Sequence, residues 1–452
     1  MKIIIVGCGK VGCTIAEQLD QEGHNITLVD TNPDILEKMS NTLDVIGVIG
    51  NGASYNVQME AGVVKADLLI AVTSSDELNL LCCLIAKKAG NVHTIARVRN
   101  PVYREEINFI KEELGLSMVI NPEEATASEI ARLLRFPSAI TIDTFAKGRV
   151  ELLKFEITHE SVLHNMMIAD ISTKLHCDIL ICAIERNEEV IIPAGHFILR
   201  EKDKVTIVAS SKNSSEFFKK IGILNQRIKN VILIGGGKIS FYLAKALLSM
   251  GMSVKIIEQS KERCEYLSTH LPEAMLINGD GTDQTLLLEE GIEYTDALAS
   301  LTNYDEENIM LSLYAKSKTK AKLITKVNRL TFENIINGLP IGSIIYPKFI
   351  TAERILQYVR AMQNSLGSNV ETLYRIVNNK VEALEFRVRQ NSPVVGIPLE
   401  KLKLKDNLLV TCINRNGRII TPRGHDTINI GDTVIVVTTN TGLNDLKDIL
   451  KN

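Results

Sequence analysis

No stretch of this 452-residue sequence approaches the roughly 18 consecutive apolar residues of a membrane-spanning helix, so the chain is not expected to cross a bilayer by itself. The opening run, Met1 to Val6, ends at Gly7 and lacks the length of a signal-peptide core, which points to residence in the cytosol. Lys and Arg number 51 against 54 Asp and Glu, a net charge of -3 that leaves no basic surplus for nucleic-acid phosphates. The eight cysteines include no C-x-x-C pair and no zinc spacing. They read as small core residues, although Cys8 and Cys13 flank a glycine loop where oxidation is conceivable. The eight histidines are scattered without the spacing of a proton relay or metal site, and no Walker A loop argues for ATP hydrolysis. Length alone excludes a single compact domain.

The sequence does contain an internal duplication. Gly7-Cys8-Gly9-Lys10-Val11-Gly12 recurs as Gly235-Gly236-Gly237-Lys238-Ile239-Ser240, and the register then persists along the chain. Asp30 maps onto Glu258, Gly52 onto Gly281, and Asp76, Asn79 and Arg97 onto Asp305, Asn308 and Lys326. Pro122 pairs with Pro347, and Pro193, His196 and Asp203 pair with Pro422, His425 and Asp432. Each copy begins with short β-branched runs alternating with helical patterns: strands at Ile3 to Val6, Asn25 to Val29, Val45 to Ile49, Leu68 to Val72, Thr94 to Val98 and Met118 to Ile120. Such apolar strands separated by helices imply an α/β, doubly wound parallel sheet of Rossmann type. After Pro137 the pattern changes to strands joined by turns, a small α+β module. The boundaries expected are 1–137, 138–225, 226–365 and 366–452, with residues 210–228 as the joint between halves.

Gly7, Gly9 and Gly12 follow a strand and open a helix, the context in which G-x-G-x-x-G carries weight. The first glycine permits a tight turn, the second lets backbone approach a pyrophosphate, and the third lets helix pack closely on strand. Asp30 ends the second strand, where an acid accepts hydrogen bonds from ribose hydroxyls, and Thr31-Asn32-Pro33 offers no cation for a 2′-phosphate. NAD(H) is therefore favoured, and ATP or ADP would satisfy the same groups. The second copy keeps Gly235, Gly237 and Glu258, but Ser240 replaces the last glycine and is expected to hold its helix farther from its strand. Asn51-Gly52 and Asp280-Gly281 follow the third strands and Thr73 and Thr302 the fourth, at the carboxyl ends where such sheets bind ligands. Arg97 and Lys326 stand at the next strand ends, to face phosphate or to pair with a carboxylate. Asp76-Glu77 and Asp305-Glu306-Glu307 read as helix-opening acids that cap and oppose the dipole. His196 and His425, each in a Pro-x-Gly-His context, read as repeated turns.

The duplicated unit, with G-C-G-K-V-G, Asp30, A-D-L-L-I-A-V-T-S-S-D-E-L-N and I-A-R-V-R-N-P-V-Y, resembles the TrkA family over essentially its full length. These are regulatory subunits of Trk potassium uptake systems, and their units are called RCK or KTN domains. The resemblance implies a non-enzymatic peripheral protein on the cytoplasmic face of the membrane. It would bind NAD(H) or ATP/ADP and assemble as a tetramer, an eight-domain ring beneath a TrkH-type potassium-translocating partner. Carried onto this sequence, nucleotide contacts fall on Gly7, Cys8, Gly9, Lys10, Val11, Gly12, Asp30, Asn51, Gly52, Thr73 and Arg97. A second set falls on Gly235, Gly236, Gly237, Lys238, Ile239, Glu258, Asp280, Gly281, Thr302 and Lys326. Many family members have an acid where Asn51 stands, a departure that, with Ser240 and Lys326, implies unequal sites. The helix from Glu123 to Arg135, with Ala127, Ile130, Ala131 and Leu134 on one face, and its counterpart at Thr351 to Ile355, are read as inter-domain packing elements whose disruption weakens assembly. An NAD-dependent dehydrogenase and a nucleotide-sensing regulator of another ion transporter are the alternatives; the first would need a substrate domain and proton donors that the sequence does not reveal.

Overall fold

The computed structural model describes residues 1–135, 140–145, 149–187, 189–222, 228–329, 335–336, 338–365, 370–376, 380–389, 392–443 and 445–451. Strands β1 (Lys2–Val6), β2 (Asn25–Asp30), β3 (Val45–Ile49), β4 (Leu68–Ala71), β5 (His93–Arg97) and β6 (Met118–Ile120) form a parallel sheet in the order β3-β2-β1-β4-β5-β6. In β1 and β4 nearly every side chain is buried, because helices cover both faces and leave no polar side to the strands. The order reverses between β1 and β4, so the connections leaving these two strands diverge to opposite faces and open a crevice at their carboxyl ends.

A five-stranded antiparallel sheet follows, built from β7 (Thr141–Phe145), β8 (Val150–Glu156), β9 (Leu180–Arg186), β10 (Glu189–Ile191) and β11 (Lys204–Ser210) in the order β10-β9-β11-β8-β7. The second copy repeats both sheets. Strands β12 (Asn230–Ile234), β13 (Ser253–Glu258), β14 (Met275–Asn278), β15 (Ala297–Ser300), β16 (Lys322–Lys326) and β17 (Ser343–Ile345) run in the order β14-β13-β12-β15-β16-β17. Strands β18 (Val370–Ile376), β19 (Val381–Arg387), β20 (Leu408–Arg415), β21 (Arg418–Ile420) and β22 (Thr433–Thr438) run in the order β18-β19-β22-β20-β21.

The copies associate like with like. Residues Met1–Ala131 and Asn230–Leu356, the two parallel-sheet domains, form one compact unit, while Arg132–Lys229 and Gln357–Asn452, the two antiparallel modules, form another. In the second unit the modules share a core: Phe145, Val150, Leu152, Cys182 and Val208 of one pack with Val381, Ala383, Cys412, Ile435 and Val437 of the other. A buried acid stands at the same place in each module. Arg186 holds Asp203 through Nε (2.7 Å) and Nη2 (2.6 Å), and Arg415 holds Asp432 through the same atoms (3.0 and 2.8 Å).

The structure bears on several of these expectations. The expected joint contains a helix, Ser211–Lys220, whose Phe217 and Phe218 pack on Phe155 at ring separations of 5.9 and 5.2 Å. The expected boundaries at 137/138, 225/226 and 365/366 each touch positions outside the described residues. Ala127, Ile130, Ala131 and Leu134 of the helix Pro122–Arg135 are all at most 2% exposed, as are Thr351, Ala352 and Ile355 of the helix Pro347–Ser365. Both faces are thus satisfied within one chain and do not offer a free surface to another.

Candidate functional site

The glycine loop after β1 is shaped by sterics. Gly7 adopts φ +97°, and a Cβ there would stand 2.9 Å from the backbone nitrogen of Thr73. A Cβ on Gly12 would stand 1.9 Å from the carbonyl oxygen of Gly7, whereas one on Gly9 would meet only open space. Gly9 thus fits the close-approach role and Gly12 the packing role. The Asp30 carboxylate accepts hydrogen bonds from the backbone N–H groups of Cys8 (2.6 Å) and Asn32 (2.9 Å), fixing the acid against the loop. Burial and the neighbouring Asp30 push the Cys8 thiol up to about 12, so this cysteine is not a reactive thiolate.

The second copy repeats this frame, with Gly235 at φ +94° and the Glu258 carboxylate accepting from Gly236 N–H (2.6 Å) and Ser260 N–H (2.8 Å). Ser240 is buried, and its hydroxyl donates to the Gly235 carbonyl. A Cβ at the Gly12 position of the first copy would meet the Gly7 carbonyl, whereas in the second copy the Ser240 side chain is accommodated and its hydroxyl satisfies the equivalent carbonyl.

Behind the strand ends lies a buried staple. Asn79 accepts from the Thr73 N–H and hydroxyl (2.8 Å each) and donates to the Arg97 carbonyl (2.9 Å), tying the end of β5 to the loop after β4. Asn308 does the same for Thr302 (2.9 Å each) and Lys326 (3.0 Å). Asp76 is less a cap than a second staple: Ser75 caps the helix, while the Asp76 carboxylate accepts from Arg99 and Asn100 N–H at 2.8 Å. Asp305 likewise accepts from Asn328 and Arg329 N–H, each at 2.9 Å. Asn51 forms a turn by accepting from Ala53 N–H (2.9 Å), and Asp280 accepts from the Thr282 N–H and hydroxyl, which hold its carboxyl below the ordinary range. Gly52 and Gly281 are glycines because a Cβ would stand 2.1 Å from Val6 and 2.4 Å from Ile234.

These loops open on one cavity of about 960 Å³ in the first unit, lined by both copies. From the first copy it takes Gly7, Gly9, Lys10, Val11, Asp30, Asn51, Gly52, Thr73 and Arg97, and from the second Gly237, Lys238, Ile239 and Lys326. Of the other expected site residues, Cys8, Gly12, Gly235, Gly236, Glu258, Asp280, Gly281 and Thr302 are not among its described lining. Arg99, Glu123, Asn328 and Lys348 do line it, although no motif in the sequence singles them out. Glu123 and Lys348 each follow an aligned proline, and that register was the available signal.

Six basic side chains (Lys10, Arg97, Arg99, Lys238, Lys326 and Lys348) face two acids, Asp30 and Glu123, among the described lining residues. Arg97 gives one guanidinium nitrogen to the Thr73 carbonyl, and its buried Nε finds no partner among the described residues. Burial pulls Lys326 down to about 8, with Lys10 of the other copy acting in the same direction and Asp305 and Glu123 opposing. A half-open, cation-rich cavity fits an anionic group, and its volume fits a nucleotide. His196 and His425 lie in exposed turns.

The TrkA-N domain model matches residues 3–122 and 231–347, and the TrkA-C domain model matches 152–222 and 383–451. The Trk system potassium uptake protein TrkA homolog 2 of Methanosarcina mazei is 32% identical over the whole of both chains. TrkA of Haemophilus influenzae is 32% identical over 96% of this chain and 95% of its own. Among solved structures, the GsuK channel bound to NAD superposes with a TM-score of 0.62 at 17% identity, over 97% of this chain and 77% of that one, a likeness of fold.

Proposed function

Because the chain belongs to the TrkA family of Trk potassium uptake proteins, we propose that it is a nucleotide-responsive regulatory subunit, acting without catalysis, of a membrane potassium transporter. The observation that carries this reading is the cavity shared by the two nucleotide-type domains, with a glycine loop and Asp30 on one wall and Lys326 and Lys348 on the other. NAD(H), ATP or ADP would place ribose hydroxyls on Asp30 and phosphates at the Lys10 and Lys238 loops, in a cavity that Arg97 also lines.

A ligand bridging two domains draws them together, and a change in their relation is what a ring of such domains passes to a channel. The nucleotide must bind the closed arrangement more tightly than the open one: a 100-fold preference corresponds to about 2.7 kcal/mol, and equal affinity shifts nothing. Four chains in a ring on the cytoplasmic face of a TrkH-type subunit supply the setting. The test is rubidium uptake in cells lacking their own potassium uptake, with the cognate membrane subunit and either the wild-type chain or Asp30→Ala. Nucleotide-dependent uptake that Asp30→Ala abolishes supports the reading; uptake indifferent to this chain overturns it.

A further inference from the structure

The two acid-bearing crevices differ at the first turn of the helix after the second strand. Ile35 of the first copy lines the shared cavity. In the register that pairs Asp30 with Glu258 its counterpart is Arg263, near the start of the helix Lys261–His270. Arg263 Nε donates to the Gly236 carbonyl at 2.7 Å, and its guanidinium lies 4.6 Å from the centroid of the Tyr266 ring. Tyr266 in turn stacks on His270 at 4.2 Å. The arginine therefore reaches from the helix after the second strand to the glycine loop, its guanidinium held by the Gly236 carbonyl on one side and by the Tyr266 ring of its own helix on the other.

The remainder of the second loop points elsewhere. Gly237, Lys238 and Ile239 line the same cavity as the first loop, while Glu258 is not among the described residues lining it. The second copy's glycine loop thus contributes to the site built around Asp30, while Glu258 stays hydrogen-bonded to the Gly236 N–H of that loop at 2.6 Å.

We propose that the chain takes one adenine nucleotide, in the shared cavity against Asp30, and that Arg263 closes the second crevice to adenosine. This rests on the nucleotide-binding reading above. An apolar residue at this position leaves the mouth of the first crevice open, whereas the arginine bridge must break before a ribose reaches Glu258. The duplicated fold is then used asymmetrically: the first copy holds the ligand and the second supplies cations.

The test is the stoichiometry of ADP and of NAD binding to the full chain by equilibrium dialysis. It compares wild type, Arg263→Ile, Arg263→Ala and Asp30→Ala, with far-ultraviolet circular dichroism on each. One nucleotide per wild-type chain, lost in Asp30→Ala and rising to two in Arg263→Ile or Arg263→Ala, is expected. The second site should be the weaker of the two, because Gly237, Lys238 and Ile239 already line the first. Two sites in the wild type would overturn the proposal while leaving the nucleotide reading intact, as would one site in both folded Arg263 variants. A wild-type second site that takes only a 2′-phosphorylated dinucleotide would make Arg263 a ligand instead of a plug, and would overturn it as well. No binding to the wild type at all would remove both readings.

Discussion

Asn79 is fully buried and makes its hydrogen bonds within one loop cluster, so its removal has a calculable cost. Asn79→Ala deletes acceptance from the Thr73 N–H and hydroxyl (2.8 Å each) and donation to the carbonyls of Arg97 (2.9 Å) and Thr73 (3.3 Å). Each such bond contributes about 1 kcal/mol net, and a buried group left without a partner costs about 1 to 3 kcal/mol. The Thr73 hydroxyl retains the Ser75 carbonyl at 3.3 Å, and the Thr73 carbonyl retains Arg97, which lowers the total. The expected loss is about 3 kcal/mol, or about 6 to 12 °C in the transition of the first unit. The same substitution releases the loop that presents Thr73 and Arg97 to the cavity, so nucleotide affinity should fall with stability. Differential scanning calorimetry on Asn79→Ala and Asn308→Ala tests this. Near-equal losses are expected because the two staples nearly match, at 2.8 and 2.9 Å to the threonine N–H groups and 2.9 and 3.0 Å to the strand-end carbonyls. A change below about 1 kcal/mol in both variants would refute the reasoning.

Lys326, pulled down to about 8 by burial, should recover its proton when a phosphate approaches. Nucleotide binding near pH 8 to 9 should then take up a proton, and affinity should fall as pH rises above about 8. Calorimetry in buffers of different ionisation enthalpy reads this, and Lys326→Met should abolish it. Without ligand the sign reverses: the folded chain binds Lys326's proton less well than the unfolded chain, so this group's contribution to stability rises between pH 8 and about 10.4. Gly12→Ala should cost about 1 to 3 kcal/mol and eliminate nucleotide binding, because its Cβ would stand 1.9 Å from the Gly7 carbonyl. Ser240→Ala should cost only about 1 kcal/mol, measured by denaturant titration. Asp203→Ala should cost about 3 kcal/mol in the second unit by leaving Arg186 without its bidentate partner.

Much of the fold was legible because its signals are local. Apolar runs such as Ile3 to Val6 and Leu68 to Val72 need cover on both faces, and a glycine that must adopt φ +97° has few substitutes. Alternation does not reveal β7, because Thr141–Phe145 buries Ile142 and Phe145, three residues apart. The helix Ser211–Lys220 was hidden in a serine- and lysine-rich stretch whose meaning depends on Phe217 and Phe218 meeting Phe155. Pairing of like with like was not legible, since a duplication is compatible with either arrangement. For the same reason the site was half read. Gly7, Gly9 and Asp30 carry their role in one chain segment, whereas Lys348 reaches the cavity only because two domains far apart in the sequence face each other. Asn79 and Asn308 were visible as a repeated pair, but their task depends on which loops the sheet order brings together.

If second-copy lysines serve a nucleotide held by the first copy, removing them must weaken its binding. Titration calorimetry of ADP and NADH at pH 7 and fixed salt, on the wild-type chain, Lys326→Met, Lys348→Met and the double variant, tests this most directly. Loss of one buried charge-assisted contact corresponds to about 1.5 to 3 kcal/mol, roughly 10- to 150-fold in affinity. A loss of that size is expected for Lys326→Met and a larger one for the double variant, with the fold intact. Unchanged affinity in the double variant, beside loss in Asp30→Ala, would contradict the shared site.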